Sequence, residues 1–150
     1  MLFWFAGTAA ASVWFIFRDP GFSYRYLIVG ALLPDVVDVW FGHAGPFHSF
    51  VTSVAFLIIA MLVTMGSRPR RKRFLAGVIG MFMHLVFDGA FLDTTMFWWP
   101  FGGLEFGPDQ IPSVDRGWWN LLFEVAGILL CAWTWRRVRV TVSQPISGVL

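Results

Sequence analysis

The chain has 150 residues, 57% of them hydrophobic and only 13% charged, with 17 Phe and 9 Trp. Soluble domains carry about 25% charged residues, so this composition argues against an ordinary water-exposed globule and for an integral membrane protein. The net charge is +2, but the basic residues flank apolar runs as topology signals do, which argues against nucleic acid as a partner.

Five apolar segments follow one another. The first covers about residues 2–17 and stops at Arg18-Asp19-Pro20-Gly21, a strong breaker cluster. It has no basic leader, so it reads as a retained helix rather than a cleaved signal. The second covers about residues 24–41 and contains Pro34, which leaves the carbonyl of Gly30 without its helical donor. A freed carbonyl at membrane depth needs protein or a polar cavity beside it. The third covers about residues 47–65. A basic loop, Arg68-Pro69-Arg70-Arg71-Lys72-Arg73, separates it from the fourth, about residues 74–92, in which Ala76 and Gly80 allow close helix approach. A Pro- and Gly-rich loop then runs from 93 to 117, bracketed by Trp98-Trp99 and Trp118-Trp119 as interface anchors. The fifth segment covers about residues 118–135 and ends at Arg136-Arg137-Val138-Arg139.

The expected fold is therefore all-α: a bundle of about five transmembrane helices, some short or kinked. Residues 1–140 form one membrane-embedded domain and 141–150 a short, frayed cytoplasmic tail. Alternation of the five segments gathers ten of the eleven Lys and Arg residues on one side, with only Arg116 opposite. That is a positive-inside pattern for a plasma or inner membrane, with the N-terminus outside and the C-terminus in the cytoplasm. Cys131 is alone, so no intrachain disulfide can form.

Against this apolar background, residues 33–50 stand out. They hold Asp35, Asp38, His43 and His48. Intramembrane acids cost about 2.5–3.5 kcal/mol each on insertion scales and need a compensating partner. Asp35 and Asp38 share a helix face by their spacing of three, and His84 and Asp88 by their spacing of four. The topology brings all of them to similar depth near the outer side. Imidazoles with carboxylates suit zinc, manganese or iron. Five or six such groups exceed what one tetrahedral ion needs, and two ions sharing a carboxylate would use them all, an arrangement that activates water against phosphoesters. Each motif also has a plainer use: Asp-x-x-Asp as a solvated face, His84 as a hydrogen-bonded core residue, Ser49 as a helix cap, or the whole set as a proton or ion path. Glu124 is a lesser candidate for the same cavity, and Asp93, Glu105, Asp109 and Asp115 read as solvated loop acids.

The chain resembles the YdjM-like family of inner-membrane proteins described as metal-dependent hydrolases. The resemblance lies in Leu33-Pro34-Asp35 with Asp38, in His43 and His48-Ser49, in His84 with Asp88, and in Trp99-Pro100-Phe101. It covers about residues 30–101. Where that family has Arg and Thr before the second histidine, this chain has Ala44 and Phe47. The acids are spaced Asp-x-x-Asp rather than Asp-x-Asp-His, no Thr-His stands near the start, and Phe91 replaces a Thr. The resemblance implies a membrane-bound hydrolase of phosphoesters or lipid headgroups near the extracytoplasmic face. Asp35, Asp38, His48, His84 and Asp88 would hold one or two divalent ions, zinc or manganese, and His43 would serve as a further ligand or proton shuttle. The missing Arg and Thr favour the alternative, a non-enzymatic membrane protein with a structural metal site or a partner-subunit role.

Overall fold

The computed structural model describes residues 1–38, 45–103 and 117–143. Among them every regular element is helical: α1 Leu2–Phe17, α2 Tyr24–Asp38, α3 Phe50–Val63, α4 Arg68–Asp88, the single turn α5 Thr94–Phe97, and α6 Trp119–Ser143. Short 3-10 turns cover Pro46–His48 and Ala90–Leu92. The all-α expectation holds.

The boundaries differ from the expected ones in instructive ways. The basic run 68–73 is not a loop but the opening of α4. Pro69 sits in the first helical turn, where its missing N–H costs nothing, and Arg and Lys are good helix formers. At its other end α4 stops at Gly89, whose φ of 80° suits the left-handed cap, and not at Leu92. Likewise α6 does not end at Trp135. It continues through the arginines to Ser143, with the Arg137 guanidinium 5.6 Å from the Trp133 ring and that of Arg139 4.5 Å from the Trp135 ring, each four residues apart on one face. Asp93 is more than a solvated loop acid: its Oδ1 accepts from Thr95 N–H at 3.0 Å and Met96 N–H at 3.2 Å, capping α5.

Helix α1 packs along α6, and α2 along α4; α1 bridges the two pairs, and α3 lies against α4. Glycines permit these approaches. A Cβ on Gly7 would collide with the Gly127 backbone, one on Gly30 with the Gly77 backbone, and one on Gly80 with the Leu27 carbonyl. The interior combines large apolar side chains, Phe5, Leu27, Met81 and Leu85, with small and polar ones: Thr8, Ala9, Ala31, Asp35, Asp38, His48, Ala76, His84 and Asp88 are all buried. The outside is apolar. Of α3 only Ser53 and Ala60 are buried, whereas Leu57, Ile58, Ile59, Leu62 and Val63 are exposed. The same holds for Leu121, Leu122, Val125, Ile128 and Leu129 on α6.

No helix among the described residues is long and apolar enough to cross a membrane. Helices α1, α2 and α3 have 16, 15 and 14 residues. In the longer two, charge interrupts the apolar run, at 68–73 in α4 and at Glu124, Arg136, Arg137 and Arg139 in α6.

Candidate metal centre

Three elements converge at one end of α2 and α4. The last turn of α2 carries Asp35 and Asp38 on one face, and the last two turns of α4 carry His84 and Asp88. The turn Pro46–His48 delivers His48 between them. His48 therefore stands just before α3 and does not open it; Ser49 is the N-cap, its Oγ accepting from Val51 N–H at 3.1 Å. That capping role for Ser49 is one the sequence anticipates.

The Nε2 atoms of His48 and His84 are 3.2 Å apart. Asp35 Oδ1 lies 3.6 Å from the first and 3.5 Å from the second. Both imidazoles are fixed from behind. His48 Nδ1–H donates to Asp38 Oδ2 at 2.6 Å, and that oxygen also accepts from Gly45 N–H at 2.8 Å. His84 Nδ1–H donates to the Ala31 carbonyl at 2.8 Å. The ring of Phe5, from α1, lies on His84 with centroids 4.0 Å apart.

These contacts assign the tautomers. An Nδ1 that faces only an acceptor must carry the proton, so in the neutral ring Nε2 presents its lone pair. Two imidazole lone pairs and a carboxylate oxygen thus point at one another in a buried space. Left alone they repel. A single proton relieves at most the two edges that meet at its nitrogen, whereas a cation at the centre relieves all three. Two donors bonded at about 2.0–2.1 Å to a tetrahedral ion stand about 3.3–3.4 Å apart. The observed edges of 3.2, 3.5 and 3.6 Å bracket that value. Asp35 Oδ1 is buried and makes no hydrogen bond among the described residues, as expected of an atom shaped for an ion. The residues present therefore fit a divalent metal, and the backing of each histidine by an oxygen acceptor is the usual support for such a ligand.

Asp35, His48 and His84 are thus brought together as one donor group. Asp38 sits behind His48 rather than in that group, so its contact is with the imidazole. Asp88 is buried one turn beyond His84 and within electrostatic reach of His48. His43 lies outside the described residues, as do Glu105, Asp109 and Asp115. Glu124 belongs to a different place: its Oε2 accepts from Phe3 N–H at 2.8 Å, satisfying an open donor at the start of α1. Two supporting contacts were not read from the sequence. One is that of Phe5 with His84. The other is the tie between Ser49 Oγ and the Trp99 carbonyl, at 2.7 Å, which holds the His48 turn against the Trp-Pro segment.

Pro34 lies inside α2, which continues as one helix from Tyr24 to Asp38. The Ala31 carbonyl, one residue after Gly30, accepts from His84 Nδ1–H.

No protein-family model, curated protein or solved structure matches this chain.

Proposed function

We propose that the chain is a membrane-embedded, metal-dependent hydrolase in which Asp35, His48 and His84 hold a divalent ion, zinc or manganese. The observation that carries this reading is the triangle of three buried donor atoms with edges of 3.2 to 3.6 Å. Three protein donors leave a tetrahedral ion a fourth position, the arrangement of catalytic rather than structural zinc sites. A divalent ion held there supplies Lewis acidity, which activates water against esters at neutral pH. The chain's own groups do the rest. Asp38 and the Ala31 carbonyl keep both Nε2 atoms aimed inward, and Phe5 blocks rotation of His84. Asp35, with 12% of its side chain exposed against 0% for both histidines, marks the side from which a substrate would approach. Asp38 and Asp88 are the neighbouring groups a second ion or a proton transfer would draw on, and His43 is the proton shuttle that the resemblance implies. The reaction class, a phosphoester or lipid headgroup, comes from the resemblance to YdjM-like proteins.

The membrane assignment rests on the apolar outer surface, which surrounds an interior that holds polar and ionisable groups beside Phe5, Leu27, Met81 and Leu85. In water, an α3 that exposes nearly its whole apolar surface would be an aggregation site. In lipid it is at home, and helices of 14 to 16 residues, about 21–24 Å, are accommodated by thinning of the bilayer. Lys72 Nζ lies 3.4 Å from Asp19, so the 18–21 turn and the basic start of α4 share one end of the bundle. His84 lies twelve residues further along α4, about 18 Å away. A plasma- or inner-membrane protein with its basic end in the cytoplasm would carry the site near the outer face, with the N-terminus outside and the C-terminus inside.

The test is hydrolysis of phosphoester and phospholipid substrates by protein reconstituted in lipid with zinc or manganese, wild type against Asp35→Ala. Turnover that is lost in the variant and on chelation supports the reading. A second reading, a structural metal site in a non-enzymatic membrane protein, is favoured by the complete burial of His48 and His84 and by Phe47 where the resemblance would place Thr. Stoichiometric metal with no turnover on any substrate would select it.

A further inference from the structure

A second cavity lies at the opposite end of the bundle, between α1, α2 and α6. Its volume is about 460 Å³, and its walls are almost wholly apolar, including Ala10, Ile28, Trp135 and Val138. One cation lines it and a second lies against a residue of its wall. Arg25, at the start of α2, lines it directly. Arg139 holds its guanidinium 4.5 Å from the ring of Trp135, which is part of the wall. Both arginines are exposed, and neither makes an ion pair among the described residues. An apolar cleft between helices with unneutralised arginines at its basic end has the chemistry of an anionic amphiphile: a chain to fill the cleft and a phosphate to meet the guanidiniums.

We propose that this cleft binds one anionic phospholipid, its acyl chain between α2 and α6 and its phosphate at Arg25 and Arg139. The inference rests on the membrane reading above and is independent of the hydrolase reading. Basic pockets between membrane helices on the cytoplasmic side are suited to anionic headgroups, which are enriched in that leaflet. The cleft lies at the end marked by the Lys72–Asp19 pair, away from the Asp35–His48–His84 group. The bound lipid therefore occupies a different place from any substrate of that group.

Cys131, the only cysteine, lines the cleft and reports on its occupancy. The full-length protein is reconstituted in phosphatidylcholine vesicles with or without phosphatidylglycerol, and modification of Cys131 by a membrane-permeant maleimide is timed. Phosphatidylglycerol should slow the modification, and phosphatidylcholine alone should not. Arg25→Gln and Arg139→Gln should each raise the phosphatidylglycerol fraction needed for half-protection by about fivefold. Equal rates in the two vesicle types, or protection unchanged in both variants, would overturn the proposal. Flotation of the same samples separates the two levels. Protein that floats without lipid-specific protection refutes the site alone, and protein that fails to float refutes the membrane reading and the site with it.

Discussion

His48 and His84 meet through their Nε2 atoms at 3.2 Å, while each Nδ1 is taken by an oxygen behind it. Neither ring can turn its proton inward without giving up a buried hydrogen bond. The pair therefore offers two lone pairs to the same point, and Asp35 adds a third donor. This relation ties the fate of each backing oxygen to the metal.

Asp38→Asn tests the backing of His48. The amide keeps the size of the carboxylate but loses its charge and part of its accepting capacity toward His48 and Gly45. Metal affinity should fall about 10- to 100-fold, as for other partners that orient a ligand from behind. Competition with a calibrated chelator measures it. An unchanged affinity would mean that Asp38 is not what fixes the ring.

Ser49→Ala removes the hydroxyl that caps α3 and reaches Trp99. It deletes the α3 cap and the hydroxyl's bond to the Trp99 carbonyl, so the loss should be about 1–3 kcal/mol. The thermal unfolding midpoint in detergent reads the stability loss, and the chelator titration shows whether the His48 turn loosens with it. Ser49→Thr keeps the hydroxyl and should recover most of the effect.

Gly77 and Gly80 make a contrast three residues apart. A Cβ on Gly80 collides with the backbone of Leu27, whereas one on Gly77 meets only Tyr26 O at 3.6 Å, an ordinary contact. Gly80→Ala should force α2 and α4 apart and cost about 1–3 kcal/mol or more. Gly77→Ala should be close to neutral, or stabilising by up to about 1 kcal/mol through helix propensity. Equal destabilisation by the two would argue against the α2–α4 approach described above.

How much of this was legible in the sequence differs from residue to residue. Asp35, His48 and His84 were, because ionisable groups in apolar runs carry a cost that invites a shared explanation. The helical class and the Ser49 cap were as well. The distinction between Asp35 and Asp38 was not: spacing places both on one face, and only the path of the turn that carries His48 decides which faces the second histidine. Phe5 and Trp99 approach the site from 79 and 50 residues away in sequence, counted from His84 and Ser49 respectively, through packing that no local pattern encodes. The basic run 68–73 misleads in a different way. Charge density suggests a loop, but Pro69 and good helix formers start α4 there.

Topology has its own test. A reporter active only in the cytoplasm, inserted at Ser67 before α4, should be active, and one inserted within 101–112 should be silent. The reverse pattern would invert the orientation and put the metal group on the inner side.

The central claim is that Asp35, His48 and His84 bind a divalent ion. Elemental analysis of the purified, detergent-solubilised protein, wild type against His84→Ala, measures it most directly. About one zinc or manganese ion per chain in the wild type and loss of it in the variant is the predicted result. Wild-type protein that holds no divalent metal, even after incubation with zinc and manganese, would contradict the account.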